Sequence, residues 1–302
     1  MKVNWEMKWL GMCLACLLGP GWLTAQRAVS LDMTTTFALE GPTQLIKYTL
    51  LLPQDIDGRQ RILRLKFDPE PHRMYKKHGN QYAEFRLVRP KEAIEVRMEI
   101  DALVWEYSYE LARQFPHHVK AEPLEEYVKA DRLYQPKASA IQGLVIHLPA
   151  ENPLAQLQAI YQQVQDTLTY QPNLKEELGP VQALEQGQGD CTEFTDLFVS
   201  LCRATGIPSR GVSGWMLTPT LENPNHHWAE VWLEGLGWIP VDPSQDIFRR
   251  TKLGPFQADS RQHYLYLSRN RWDPVCKSSN NRWVASGKVS ASYRYEWRNR
   301  ME

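Results

Sequence analysis

From about Thr34 to Glu110, apolar and polar residues alternate along the chain. In KEAIEVRMEIDA, Ile94, Val96, Met98 and Ile100 interleave with Glu95, Arg97, Glu99 and Asp101. In RILRLKF, Leu63, Leu65 and Phe67 interleave with Arg64 and Lys66. Period two places successive side chains on opposite faces, so each run predicts a strand with one dry face and one wet face. Gly41-Pro42, Asp57-Gly58 and Gly79-Asn80 punctuate the runs. Several short strands at this spacing predict a β-sandwich. Phe115 to Ala140, with scattered charges and prolines, reads as a connector.

At Asn152-Pro153 the period changes. Leu154, Leu157, Ile160, Tyr161, Val164 and Leu168 recur at intervals of three and four, which predicts an amphipathic helix with Pro153 in its first turn. A second helix is predicted in GDCTEFTDLFVSLCRATGIPSR. Phe194, Leu197, Phe198, Leu201 and Thr205 define its inner face. Asp190 is a good N-cap, and Glu193 three residues later completes a capping-box pattern. Gly206-Ile207-Pro208 stops it. Beyond that point SRGVSGWML, HHWAEVWLEG, GWIPVDPS, HYLYLS and KVSASYRYEW read as strands.

The 302 residues carry equal numbers of acidic and basic side chains, with a formal net charge of zero. A nucleic-acid binder normally shows a basic excess or stripe, and there is neither, so nucleic acid is not an expected partner. The opening residues MKVNWEMKWLGMCLACLLGPGWLTAQ combine Lys2 and Lys8, an apolar run from Trp9 to Leu18, and the small residue Ala25. This is the pattern of an export signal over residues 1–25, and the run is short for a membrane span of about 20 residues. No later segment predicts a span, so the mature chain is expected in the periplasm or outside the cell. Removal of Cys13 and Cys16 with the signal leaves Cys191, Cys202 and Cys276. An odd count leaves at least one unpaired thiol in a monomer. Cys202 and Cys276 are open to two readings, a disulfide pair or separate thiols.

Cys191 sits in the first turn of its helix, where unpaired N–H groups and the positive end of the helix dipole favour an anion such as a thiolate. Asp190 and Glu193 oppose this, so a cationic neighbour is called for. NHHWAEVWLEGLGWIPVDPS offers one. His226, Trp228, Glu230 and Trp232 share one strand face; His227, Ala229, Val231 and Leu233 share the other. Asp242 follows on the next strand, where a histidine and an acid can meet across the ladder. An acid orienting a histidine that faces a thiol is the arrangement of an activated nucleophile. For His226 and Asp242 to share a face, the hairpin loop must hold an odd number of residues. An even loop would bring His227 beside Asp242 instead.

These three blocks resemble the transglutaminase-like cysteine peptidase superfamily, which shows Gly-x-Cys opening a helix that ends in Gly-Ile-Pro-x-Arg, then His-x-Trp-x-Glu, then Gly-Trp and Asp-Pro. The resemblance covers about Leu154 to Gln245. It implies an α+β fold, with a papain-like core in which the helix carrying the cysteine packs on an antiparallel sheet, preceded by an all-β sandwich-like domain. The implied division is a signal at 1–25, a β-domain with connector at 26–140, and a catalytic domain with C-terminal strands at 141–302. Carried over residue by residue, Cys191 is the nucleophile, His226 the base and Asp242 the orienting acid. Related enzymes complete an oxyanion hole with an upstream glutamine or aromatic, for which Gln182, Gln186, Gln188 and Tyr170 are eligible. The resemblance implies acyl chemistry on amide bonds of a protein or peptide substrate, with release to water or to an amine.

Three other readings compete. A metal site of His226, His227 and Glu230 is disfavoured because adjacent strand residues point to opposite faces while zinc needs converging ligands. A non-catalytic scaffold would keep the fold without the chemistry. A cross-linking transglutaminase would need a site for the acceptor amine. There is no Ca²⁺-loop or nucleotide motif, so no cofactor is implied, and no oligomeric state follows from the sequence.

Overall fold

The computed structural model describes residues 26–105, 123–149, 153–172, 174, 176–217, 223–244, 264–271, 273–277 and 279–297. The expected export signal lies outside them, as does part of the expected connector. No helix among the described residues is long and apolar enough to cross a membrane.

The described residues form an α+β fold. The alternating N-terminal runs become β1 (Gln26–Leu39), β2 (Leu45–Leu52), β3 (Gln60–Asp68), β4 (Arg73–Lys77), β5 (Asn80–Val88) and β6 (Ile94–Trp105). Two further strands, β13 (Asn281–Ala285) and β14 (Val289–Trp297), come from the far end of the chain. They assemble two antiparallel sheets, ordered β14-β1-β6-β3 and β13-β2-β5-β4. The inner faces of both sheets contribute to one apolar cluster, including Leu31, Phe37, Tyr48, Phe85, Val96 and Met98. In β6 the expected alternation holds, with Val96, Met98 and Ile100 buried. In β3 it slips. Leu63 is 56% exposed, because the pairing with β6 shifts register between Ile62 and Arg64. One extra residue in a strand leaves its side chain unpaired.

The last two strands depart from the expected division. The sequence grouped them with the C-terminal domain, yet β14 pairs with β1 and β13 with β2. Their alternation specified strands but not partners, since any free edge with unpaired N–H and C=O groups accepts another strand.

The remainder comprises α1 (Ser139–Val145), α2 (Pro153–Thr167), α3 (Gly179–Gln186) and α4 (Cys191–Ala204), packed on an antiparallel sheet. That sheet is built from β9 (Ser209–Met216), β10 (Asn225–Leu233), β11 (Gly237–Val241) and β12 (Tyr264–Ser268). Its order is β11-β10-β9-β12. Leu157, Ile160 and Val164 of α2, Phe194, Leu197, Phe198 and Leu201 of α4, and Ala229, Val231 and Ile239 of the sheet share a second core. The described end of the expected connector is not a passive link. Leu133 and Tyr134 are buried in this core, and the Tyr134 hydroxyl accepts the Gly211 N–H at 2.9 Å.

Side chains near the start of β3 tie the two halves together. The Arg59 guanidinium donates to the Trp238 carbonyl at 2.6 Å. The Gln60 amide donates to the Tyr266 carbonyl at 2.9 Å and accepts from the Tyr266 N–H at 2.7 Å. Buried backbone groups need such partners. These two residues therefore pin β11 and β12, the strands on either side of the site.

Candidate active site

The turn before α4 is assembled around Glu193. This carboxylate is 1% exposed and accepts two backbone N–H groups, Leu178 at 3.0 Å and Asp190 at 3.0 Å. Asp190 caps the helix in return, accepting from the Thr192 N–H at 2.8 Å, so the expected capping box is present. Gly189 is required by close approach. A Cβ there would lie 2.4 Å from the Glu193 Cβ, inside any tolerable contact. Gly-Asp-Cys-x-Glu thus makes one compact knot that sets Cys191 in the first turn, half-buried, as a free thiol.

A short parallel pairing brings a second group alongside. β7 (Thr169–Tyr170) runs beside β8 (Gln188–Gly189), with Tyr170 opposite Gly189. Tyr170 lines the same cleft as Cys191. Its phenol is held neutral by partial burial, reinforced by Cys191, Asp190 and Asp242. Of the other three eligible residues, Gln188 donates to Gln186 at 3.2 Å, and Gln182 is exposed on α3. None of the three lines the cleft.

The hairpin settles the parity question. Leu233 pairs with Gly237 and Ala229 with Val241, so the loop holds three residues, 234–236, and His226 and Asp242 share a face. The His226 Nε2 lies 2.6 Å from the Asp242 Oδ2. Cys191 and His226 line the same cleft. Burial alone would depress the imidazole, but the Asp242 charge and hydrogen bond, with Cys191 adding to them, raise its pKa from 6.5 to about 10. Burial pushes Asp242 the other way, yet His226, Ser244 and Tyr264 together hold its carboxyl below the usual range.

Two of those partners, Ser244 and Tyr264, were not singled out by the sequence reading. The Ser244 hydroxyl and N–H donate to the Asp242 Oδ1 at 2.7 and 3.1 Å. Such an Asx turn is encoded locally in Asp-Pro-Ser. Tyr264 on β12 donates to the Asp242 Oδ2 at 2.8 Å, the same oxygen that meets His226. Its ring also lies nearly parallel to that imidazole, 5.9 Å away at 17°. The only sequence signal for it was the strand pattern of HYLYLS. Gly214, opposite His226 on β9, admits this layer. A Cβ there would fall 2.1 Å from the Leu265 carbonyl oxygen and 2.7 Å from the Trp228 ring.

The remaining candidates lie elsewhere. His227, on the other face, contacts the Val212 backbone and is pushed well below 6.5 by burial and by the Arg271 charge. Glu230 is engaged in a buried pair with Arg210, at 3.0 and 2.7 Å, and the Arg210 guanidinium rests 4.0 Å over the Trp238 ring. Glu230, Arg210 and Trp238 therefore form one brace, and His226, His227 and Glu230 do not converge among the described residues. Cys202 and Cys276 are free buried thiols in different apolar clusters.

Residues 144–243 match the model of the transglutaminase-like superfamily. Cys191, His226 and Asp242 all fall inside the match, and Tyr264 outside. The crystal structure of a candidate cysteine protease from Cytophaga hutchinsonii is 15% identical. It covers 93% of this chain and 94% of its own with a TM-score of 0.64, which shows a shared fold. The periplasmic domain of TgpA from Pseudomonas aeruginosa is 14% identical, covering 70% of this chain and 87% of its own with a TM-score of 0.36. An uncharacterized protein of Mycobacterium leprae (strain TN) is 35% identical over 72 residues, 22% of this chain. The chain spans only 25% of that relative's length.

Proposed function

We propose that the chain is a thiol-dependent enzyme that cleaves amide bonds of peptides or proteins through Cys191, His226 and Asp242. The observation that carries this reading is the buried His226, bonded to Asp242 and lining one cleft with the Cys191 thiol. With Nε2 committed to Asp242, Nδ1 is the nitrogen that holds the proton given up by the thiol, in keeping with the raised imidazole. The sulfur attacks the amide carbonyl, forming an S–C bond, and the displaced charge collects on the carbonyl oxygen. The Cys191 backbone N–H and the Tyr170 hydroxyl are the donors assigned to that oxygen. Collapse breaks the C–N bond, and His226 returns the proton to the leaving amine. Water deprotonated by His226 then releases the acid and restores the thiol.

In the same reading the two N-terminal sheets are a β-sandwich built against the catalytic core. Residues 1–25 are its export signal, and it works in the periplasm or outside the cell. The test is release of new amino termini from denatured casein, with amine incorporation measured in parallel using dansylcadaverine. Cleavage in the wild type that vanishes in Cys191→Ala supports the peptidase. Amine incorporation without cleavage would replace it by a cross-linking enzyme. Neither activity, with a thiol that alkylates no faster than free cysteine, would leave the scaffold reading.

A further inference from the structure

The cleft that holds Cys191 has a volume of about 760 Å³, large enough for several residues of a substrate. The wall formed by β13, β14 and the residues just before them carries a chain of amides and phenols whose orientation follows from one fixed donor. The Trp215 indole N–H, which can only donate, meets the Asn225 Oδ1 at 3.0 Å. That oxygen also receives the Asn280 Nδ2 at 2.7 Å. The Asn225 Nδ2 in turn donates to the Tyr295 hydroxyl oxygen at 2.9 Å.

Two valences are left over. The Asn280 Oδ1 is buried and has no partner among the described residues, although Asn280 is 8% exposed and lines the cleft. The Tyr295 hydroxyl accepts from Asn225, and among the described residues its own hydrogen meets no acceptor. An unmet buried acceptor is costly unless something supplies a donor. A free acceptor and a free donor joined through one network are the complement of a secondary amide.

We propose that Asn280 and Tyr295 form a subsite that binds one backbone amide of a polypeptide substrate flanking the bond presented to Cys191. The Asn280 Oδ1 accepts the peptide N–H, and the Tyr295 hydroxyl donates to a peptide carbonyl. This deepens the acyl-transfer reading and rests on it. A polypeptide repeats the amide group on either side of the reacting bond, so main-chain recognition here positions the next bond at the thiol. An acetamido sugar offers the same group, and the test separates the two.

The probes are iodoacetyl-Ala-Ala-Ala-amide, N-iodoacetylglucosamine and plain iodoacetamide. In each, the Cys191 sulfur displaces iodide, the C–I bond breaking as the S–C bond forms. Labelling of Cys191 is followed by mass spectrometry, and each variant's rate is divided by its own rate with iodoacetamide. The peptide probe is expected to show saturation and a clear advantage over iodoacetamide in the wild type. That advantage should fall by about fivefold in Tyr295→Phe and in Asn280→Leu, the loss of one neutral hydrogen bond each. Tyr295→Phe keeps the ring and guards against a folding defect in Asn280→Leu. An advantage unchanged in both variants overturns the subsite while the thiol chemistry stands, and so does an advantage shown by the sugar probe alone. A Cys191 inert to all three reagents overturns the acyl-transfer reading, and the subsite with it.

Discussion

Replacing Asp242 by Asn is the sharpest test of the Asp–His–Cys arrangement, because its consequence can be read without a substrate. The His226 imidazole is raised from 6.5 to about 10, with Asp242 the largest influence acting against burial. At about 1.4 kcal/mol per pH unit, that gap corresponds to ~5 kcal/mol favouring the imidazolium in the folded chain. In Asp242→Asn burial acts with little opposition, and the imidazole is expected to titrate below 6.5. The assay is a pH titration of histidine-labelled protein by NMR, with His226 assigned by its absence from His226→Gln.

The same shift sets a stability signature. A folded pKa above the unfolded one means that the folded chain holds a proton that the unfolded chain releases between pH 6.5 and about 10. The stability advantage of wild type over Asp242→Asn is therefore full below pH 6.5 and declines as pH rises through about 10. A wild-type imidazole that titrates at or below 6.5 would refute the reasoning. So would a stability gap that does not change between pH 6 and 10.5 in denaturant titrations.

Other outcomes follow from neighbouring residues. Tyr264→Phe keeps the ring against His226 but deletes a donor to Asp242; peptide cleavage should fall by about tenfold, and the acidic limb of its pH profile should move upward as the carboxyl loses a partner that holds it down. Tyr170→Phe should lower kcat by about tenfold or more with KM little changed, since a donor to the developing oxyanion acts in the transition state. Gly189→Ala, which sets a Cβ 2.4 Å from that of Glu193, should cost about 1–3 kcal/mol in denaturant unfolding and slow alkylation of Cys191. Arg271, 1% exposed, forms a bidentate pair with Asp196 at 2.8 and 2.5 Å. Arg271→Ala should cost about 3–5 kcal/mol by leaving that carboxylate unpaired, whereas Arg271→Ala combined with Asp196→Ala should recover part of the loss.

Period and capping made much of the chain legible. Helix α4 was readable to its termini because Asp190, Glu193 and Gly206 act on backbone groups within one turn of themselves. His226 and Asp242 were readable as a pair because strand parity is a property of neighbouring residues, conditional only on the loop length. Tyr264 was not readable as their partner. It reaches Asp242 across strands β10 and β9, and nothing in HYLYLS distinguishes a tyrosine bonded to a carboxylate from one that merely packs.

The same boundary runs through the whole protein. Sequence by itself determined the elements, the helix that carries Cys191 in its first turn, and the face on which His226 lies, since each depends on interactions spanning a few residues. Only the tertiary structure decided that β13 and β14 close the N-terminal sheets, that Arg59 and Gln60 brace the strands flanking the site, and that Asn280 and Tyr295 wall the cleft. Those contacts join residues far apart along the chain, as where Leu31 pairs with Trp297. Their partners are selected by which edges, cavities and unpaired polar groups remain once the local elements have packed.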